Sequence, residues 1–168
     1  MFRRHPEHRP DGIGTEEYIM ALTPYQQTTL RRAERILAGL VRESDVLSSP
    51  DEVRSLIKCR IGASEHEVFV AIWLDNRHRV FDIVDMFTGT IDSAAVYPRE
   101  VVKAALKFNA AAVVFAHNHP SFTAEPSDTD VRLTRKLVDG LALVDVRVLD
   151  HLVVGGPNLT SLAERGLM

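Results

Sequence analysis

Val113-Val114-Phe115-Ala116-His117-Asn118-His119-Pro120, followed after a short loop by Pro126-Ser127-Asp128-Thr129-Asp130, decides how this chain is read. The apolar run reads as a buried strand over residues 110–116 that ends in two histidines one residue apart, and a helix start carrying a carboxylate follows the loop. In an extended chain, side chains at i and i+2 fall on one face, roughly 7 Å apart at the backbone, so both imidazoles converge on one ion. Asp130 completes a triad. Two histidines and one carboxylate, with a fourth position open, form the ligand set of a catalytic zinc site rather than a structural one. The competing reading makes Ser127 and Asp130 only a helix cap and an acidic first-turn residue, with the histidines satisfied in the core. The two uses are compatible, because a buried imidazole needs a polar partner or an ion in either case.

Working outward, 168 residues suffice for one domain with a modest appendage. Hydrophobic residues at 45% and charged ones at 26% are ordinary globular values. A net charge of −3 carries no electrostatic footprint of a nucleic-acid binder. The single cysteine, Cys59, has no partner for a disulfide, and its spacing with Leu56, Ile57 and Ile61 places it on a helix rather than in a nucleophilic site. No signal peptide follows the basic start, and no apolar stretch approaches the ~20 residues of a membrane span, so a cytoplasmic protein is expected.

Residues 1–14 read as a mobile tail, 15–22 as a short helix, and Thr23-Pro24 as the start of a helix running to about Val41. Ser48-Ser49-Pro50-Asp51 opens a helix that Gly62 stops. Glu67 to Leu74 is a strand covered on both faces, Asp75-Asn76-Arg77-His78 a turn, and Arg79 to Phe87 the returning strand. Ile91 to Val96 reads as a short strand, Tyr97-Pro98 opens a helix closing near Asn109, and Val144 to Val154 reads as another core strand. After Gly155-Gly156-Pro157, residues 160–165 make a last turn. Helices placed between strands indicate an α/β layered domain.

Hydrolysis at such a site needs a group to take a proton from water and return it to the leaving group. A carboxylate at the entrance of the first strand suits that task, and Glu67 and Glu65 both stand there. His66 points to the opposite face and is not expected as a ligand. Asp150-His151, polar in an apolar setting, reads as a satisfied core pair, with orientation of the site as the alternative.

The order Glu67, His117-Asn118-His119, Ser127, Asp130 resembles the metalloprotease motif of the JAB/MPN (JAMM) domains, and within them the bacterial RadC branch. Glu67-Val68-Phe69, Phe87-Thr88-Gly89-Thr90, Tyr97-Pro98-Arg99-Glu100-Val101-Val102, His119-Pro120-Ser121 and Asp150-His151 carry the resemblance further. It implies a JAB/MPN domain over 48–168 with a cytidine deaminase-like mixed, curved sheet flanked by helices, preceded by a helical extension over 1–42. It further implies zinc on His117, His119 and Asp130, Glu67 as general acid/base, and Ser127 as hydrogen-bond donor to the oxyanion of a peptide or isopeptide substrate. Phe122 departs from the branch, which has Gly there; a side chain at this position disfavours a positive φ and would reshape the loop. Residues 1–42 lack the glycine-centred hairpins of the helical DNA-binding module that precedes the domain in longer relatives. The rival readings are a DNA-repair-associated protein and a protein-interaction module whose metal site is structural or vestigial. Deaminase chemistry would want cysteine ligands this chain lacks.

Overall fold

A computed structural model describes residues 23, 25, 26, 28, 29, 32, 49–89 and 95–168. The expected tail over 1–14, the helix over 15–22 and most of the helix to Val41 lie outside these residues. At its start Thr23 and Gln26 exchange the reciprocal bonds of a capping box, from Thr23 N–H to Gln26 Oε1 (2.8 Å) and from Gln26 N–H to Thr23 Oγ1 (3.3 Å). Residues 91–94 of the expected strand Ile91 to Val96 also lie outside, and Ala95 and Val96 are irregular.

Helix α1 (Pro50–Ile61) begins where Ser49 accepts the Glu52 N–H, with proline in its first turn. Gly62 closes it in ordinary helical conformation, and a Cβ there would stand 2.4 Å from the Lys58 carbonyl oxygen. Strands β1 (Val68–Leu74) and β2 (Val80–Thr88) form the expected antiparallel hairpin. Its turn is held by Asp75, whose carboxylate accepts the N–H groups of Arg77 and Arg79. Helix α2 (Pro98–Phe108) ends on Asn109 in the left-handed region, φ 51°.

That cap takes up Asn109 and Ala110, Ala111 bonds to the Leu74 carbonyl and the Arg147 N–H, and β3 is Ala112–Asn118, two residues later than the apolar run suggested. The strand carries His117 and Asn118 themselves. Helix α3 (Asp128–Ala142) leads to β4 (Arg147–Gly155), parallel to β3. Val144 and Val146, expected in β4, instead close α3: Val146 N–H returns to the Leu141 carbonyl across Asp145 at φ 59°. β-Branched residues are strand formers, but here an apolar position after the cap outweighs that preference. The last segment also differs from expectation: Asn158–Ser161 is a short strand, β5, antiparallel to β4, followed by turns.

The five strands form one mixed sheet in the order β2-β1-β3-β4-β5. Phe69, Trp73, Val113 and Phe115 meet Val101 and Ala105 of α2 and Leu137 and Leu141 of α3 in one core. Val70, Ile72, Ala112 and Ala116 meet Ile57 and Ile61 of α1 on the other face. β3 is therefore buried on both sides, which is why residues 112–116 form an unbroken apolar run. The architecture is α/β, as the interleaving of elements required. Among the described residues no helix is long and apolar enough to cross a membrane.

Candidate metal centre

The end of β3 and the start of α3 meet at one point. His117 and Phe115 share the sheet face under α2 and α3, and His119 lies just beyond the strand, its N–H held by the Val154 carbonyl at 2.8 Å. His117 Nε2 and His119 Nε2 are 3.0 Å apart. Asp130 Oδ1 stands 3.3 Å from His117 Nε2, and Oδ2 stands 3.4 Å from His119 Nε2. Tetrahedral ligands about 2.0–2.2 Å from a zinc ion are about 3.3–3.6 Å from one another. The two imidazole nitrogens and the nearer Asp130 oxygen on each side come close to such separations, one ligand atom from each residue lies within 4.8 Å of the others, and His117, His119 and Asp130 form a group able to hold a metal ion.

The site is graded in exposure. The His117 side chain is 2% exposed, Asp130 12% and His119 19%, so solvent reaches the group from the His119 side. Burial pushes the Asp130 carboxyl up, but hydrogen bonds with His117 and His119, the His117 charge and the Ser127 bonds outweigh it and hold the group far below the usual carboxylate range. His119 is raised, first by Asp130, against its own burial and with help from the Thr123 carbonyl and the charges of Asp130 and Glu67. The cluster thus attracts positive charge, whether a proton or a metal ion supplies it.

Ser127 and Asp130 form the capping box in full. Ser127 Oγ accepts the Asp130 N–H at 3.2 Å, and Asp130 Oδ2 accepts both the Ser127 N–H and its hydroxyl at 2.7 Å. The capping and metal readings of this pair hold together, since Oδ1 remains on the histidine side.

Glu67 precedes β1. Phe69 pairs with His117, so the antiparallel register carried two residues further brings Glu67 level with His119. Its charge is among those raising His119. Asn118, between the two histidines and facing the opposite side of the sheet, fastens this segment: Oδ1 accepts the Val68 N–H (2.8 Å), and Nδ2 donates to the carbonyls of Ser64 (3.3 Å) and His66 (3.0 Å). His66 itself is exposed in the bend before β1.

The side chains of Asp150 and His151 go to different partners, although Asp150 Oδ1 accepts the His151 backbone N–H at 2.7 Å. Asp150 accepts the Ser161 hydroxyl and the Ala163 N–H, tying down the C-terminal turns. His151 is fully buried behind the site, its Nε2 2.9 Å from His117 Nδ1 and its Nδ1 2.6 Å from the Thr134 hydroxyl. Burial, aided by the charge of His117, holds His151 well below the ordinary histidine range. Sequence reading missed Thr134 and Asn118; the position of Asn118 between two ligand candidates was the available signal.

Phe122 takes φ 58° although it is not glycine. Its ring fills the place where a Cβ on Gly156 would stand, 2.3 Å from Phe122 Cδ1. Contrary to expectation, a side chain here does not prevent a positive φ, which costs about 1–2 kcal/mol for a residue other than glycine.

An α/β domain with a mixed sheet and a His-His-Asp cluster where a strand end meets a helix start is the class this arrangement defines. Residues 47–167 match the RadC-like JAB domain, and the chain belongs to that family. It is 52% identical over 157 residues to a UPF0758 protein of Marinobacter nauticus, covering 94% of this chain and 68% of the relative. A UPF0758 protein of Nitrosomonas eutropha is 53% identical over 98% of this chain and 71% of its own length. One of Vibrio cholerae is 49% identical over 90% of this chain and 96% of its own.

Proposed function

We propose that this chain is a zinc-dependent hydrolase of the JAMM type that cleaves peptide or isopeptide bonds. The observation that carries it is the convergence of His117, His119 and Asp130, with one ligand atom from each lying within 4.8 Å of the others, on a solvent-reachable side of the sheet. His117, His119 and Asp130 would hold the ion. Zinc, when bound, supplies a Lewis acid that polarises a carbonyl and acidifies water towards neutral pH.

The protein's own groups do the rest. Glu67, level with His119, takes the proton of the attacking water and delivers it to the departing nitrogen. Ser127 carries one hydroxyl hydrogen, which in the resting arrangement lies on Asp130 Oδ2. Turning it towards the substrate lets it donate to the developing oxyanion, and the Ser127 N–H keeps hold of Asp130 meanwhile. A net charge of −3 gives a DNA-directed role no comparable support.

The test is metal analysis with a peptide-library digestion read by mass spectrometry. Wild-type protein is expected to carry zinc and to produce cleavage products. His119→Ala should lose the metal, while Glu67→Gln should keep it and lose turnover. Absence of zinc in the wild-type protein, or unchanged hydrolysis in Glu67→Gln, would overturn the assignment.

A further inference from the structure

We infer that Thr134 and His151 form a hydrogen-bonded relay that fixes the tautomer of His117, so that its Nε2 lone pair is presented to the site. This rests on the metal-centre reading and assigns two positioning residues beyond it.

The directions of the bonds follow from counting hydrogens. Thr134 has one hydroxyl hydrogen and two neighbours, the Asp130 backbone carbonyl at 2.6 Å and His151 Nδ1 at 2.6 Å. A carbonyl only accepts, so the hydrogen lies on it and the Thr134 oxygen must accept from His151. His151 Nδ1 is therefore protonated. The His151 ring is wholly buried, edge-on to Phe69 and Phe115, and an apolar setting keeps such an imidazole neutral. Its Nε2 is then a bare acceptor, and at 2.9 Å it takes the hydrogen of His117 Nδ1. With that nitrogen protonated, Nε2 is the ring atom of His117 left to offer a lone pair to an ion beside Asp130 and His119. His119 is set in the same sense by its Nδ1 bond of 2.8 Å to the Thr123 carbonyl.

The relay returns to where it began. It starts at the Asp130 backbone and ends at a ring whose Nε2 stands 3.3 Å from the Asp130 carboxylate. A strand irregularity makes this contact available. Val113 pairs with Val148, but Val114 pairs with Asp150, so one residue is bulged out of β4. Without that bulge, His151 would fall on the α1 face of the sheet, away from His117.

The test uses the full chain labelled with nitrogen-15. Correlation spectra that separate protonated from bare ring nitrogens should show hydrogen on Nδ1 of both His117 and His151, in metal-free and zinc-treated protein. Zinc competition titration should then find Thr134→Val weakened about ten- to a hundredfold and Thr134→Ser restored to the wild-type level. Hydrogen on His151 Nε2 in the wild-type chain would overturn the relay. So would equal losses in the valine and serine variants, or no loss in the valine variant. If Thr134→Val does not fold, the wild-type spectra and the serine variant decide. Wild-type protein with both expected tautomers but no zinc uptake would support the relay and overturn the metal-centre reading alone.

Discussion

Gly155→Ala tests how the loop after His119 is seated. A Cβ at Gly155 would stand 2.3 Å from Ala124 N, 2.4 Å from Thr123 C and 2.6 Å from Phe122 O. All three are backbone atoms, so no side-chain rotation relieves the contact. Carbon contacts settle at about 3.5–4.0 Å, so the loop must withdraw by about 1 Å. The Thr123 carbonyl that holds His119 Nδ1 at 2.8 Å would move with it. That bond would lengthen past hydrogen-bonding range. Overpacking costs about 1–3 kcal/mol and the lost bond about 1 kcal/mol, together about 2–4 kcal/mol. Freed of its orienting partner, His119 should bind zinc about tenfold or more weakly. Urea unfolding of the metal-free chain measures the first effect and chelator competition the second. Gly140→Ala is the control: its Cβ would meet only Val102 Cγ2, at 3.8 Å, and it should stabilise α3 by up to about 1 kcal/mol. Wild-type stability and zinc affinity in Gly155→Ala would refute this account of the loop.

Two further outcomes are expected. Asn118→Ala removes the three bonds that fasten residues 64–68 and leaves the Val68 N–H without its acceptor, a loss of about 2–3 kcal/mol in urea unfolding; peptide turnover should fall about a hundredfold with zinc retained, as Glu67 is no longer fixed. Zinc affinity should also depend on pH. Because the pKa of His119 is raised, its proton is absent above that pKa and must be displaced below it. Apparent affinity therefore falls by about tenfold per pH unit on the acid side, and the fall should begin at lower pH in Glu67→Gln, which removes one of the raising charges; a flat profile in competition titrations would contradict it.

The His-x-His spacing and the Ser127-to-Asp130 spacing were legible because each is a purely local rule: alternation along a strand, and the geometry of a helix's first turn. The layering was legible for the same reason, through continuous apolar runs in β1 and β3. What escaped sequence reading depends on contacts between distant segments. The bulge that turns His151 towards His117 leaves no mark in the composition of residues 147–155, and the adjacency of Asp150 and His151 suggested a side-chain pair where the fold sends the two side chains to different partners. The bounds of β3 and β4 differ from expectation at helix caps, where Ala110 and Val146 are buried without belonging to a strand. Strand β5 escaped because four residues carry too little pattern to distinguish them from a turn.

Asp130 divides its carboxylate: Oδ2 is tied to Ser127 and Oδ1 is turned to His117. With one oxygen spoken for, the residue can lend a bound ion only single-point attachment, which favours a sparse coordination shell with room for a guest. It also makes the opening turn of α3 and the grip on that ion a single thermodynamic variable. Fraying the helix end would loosen a bound ion, and filling the centre would wind the helix tighter.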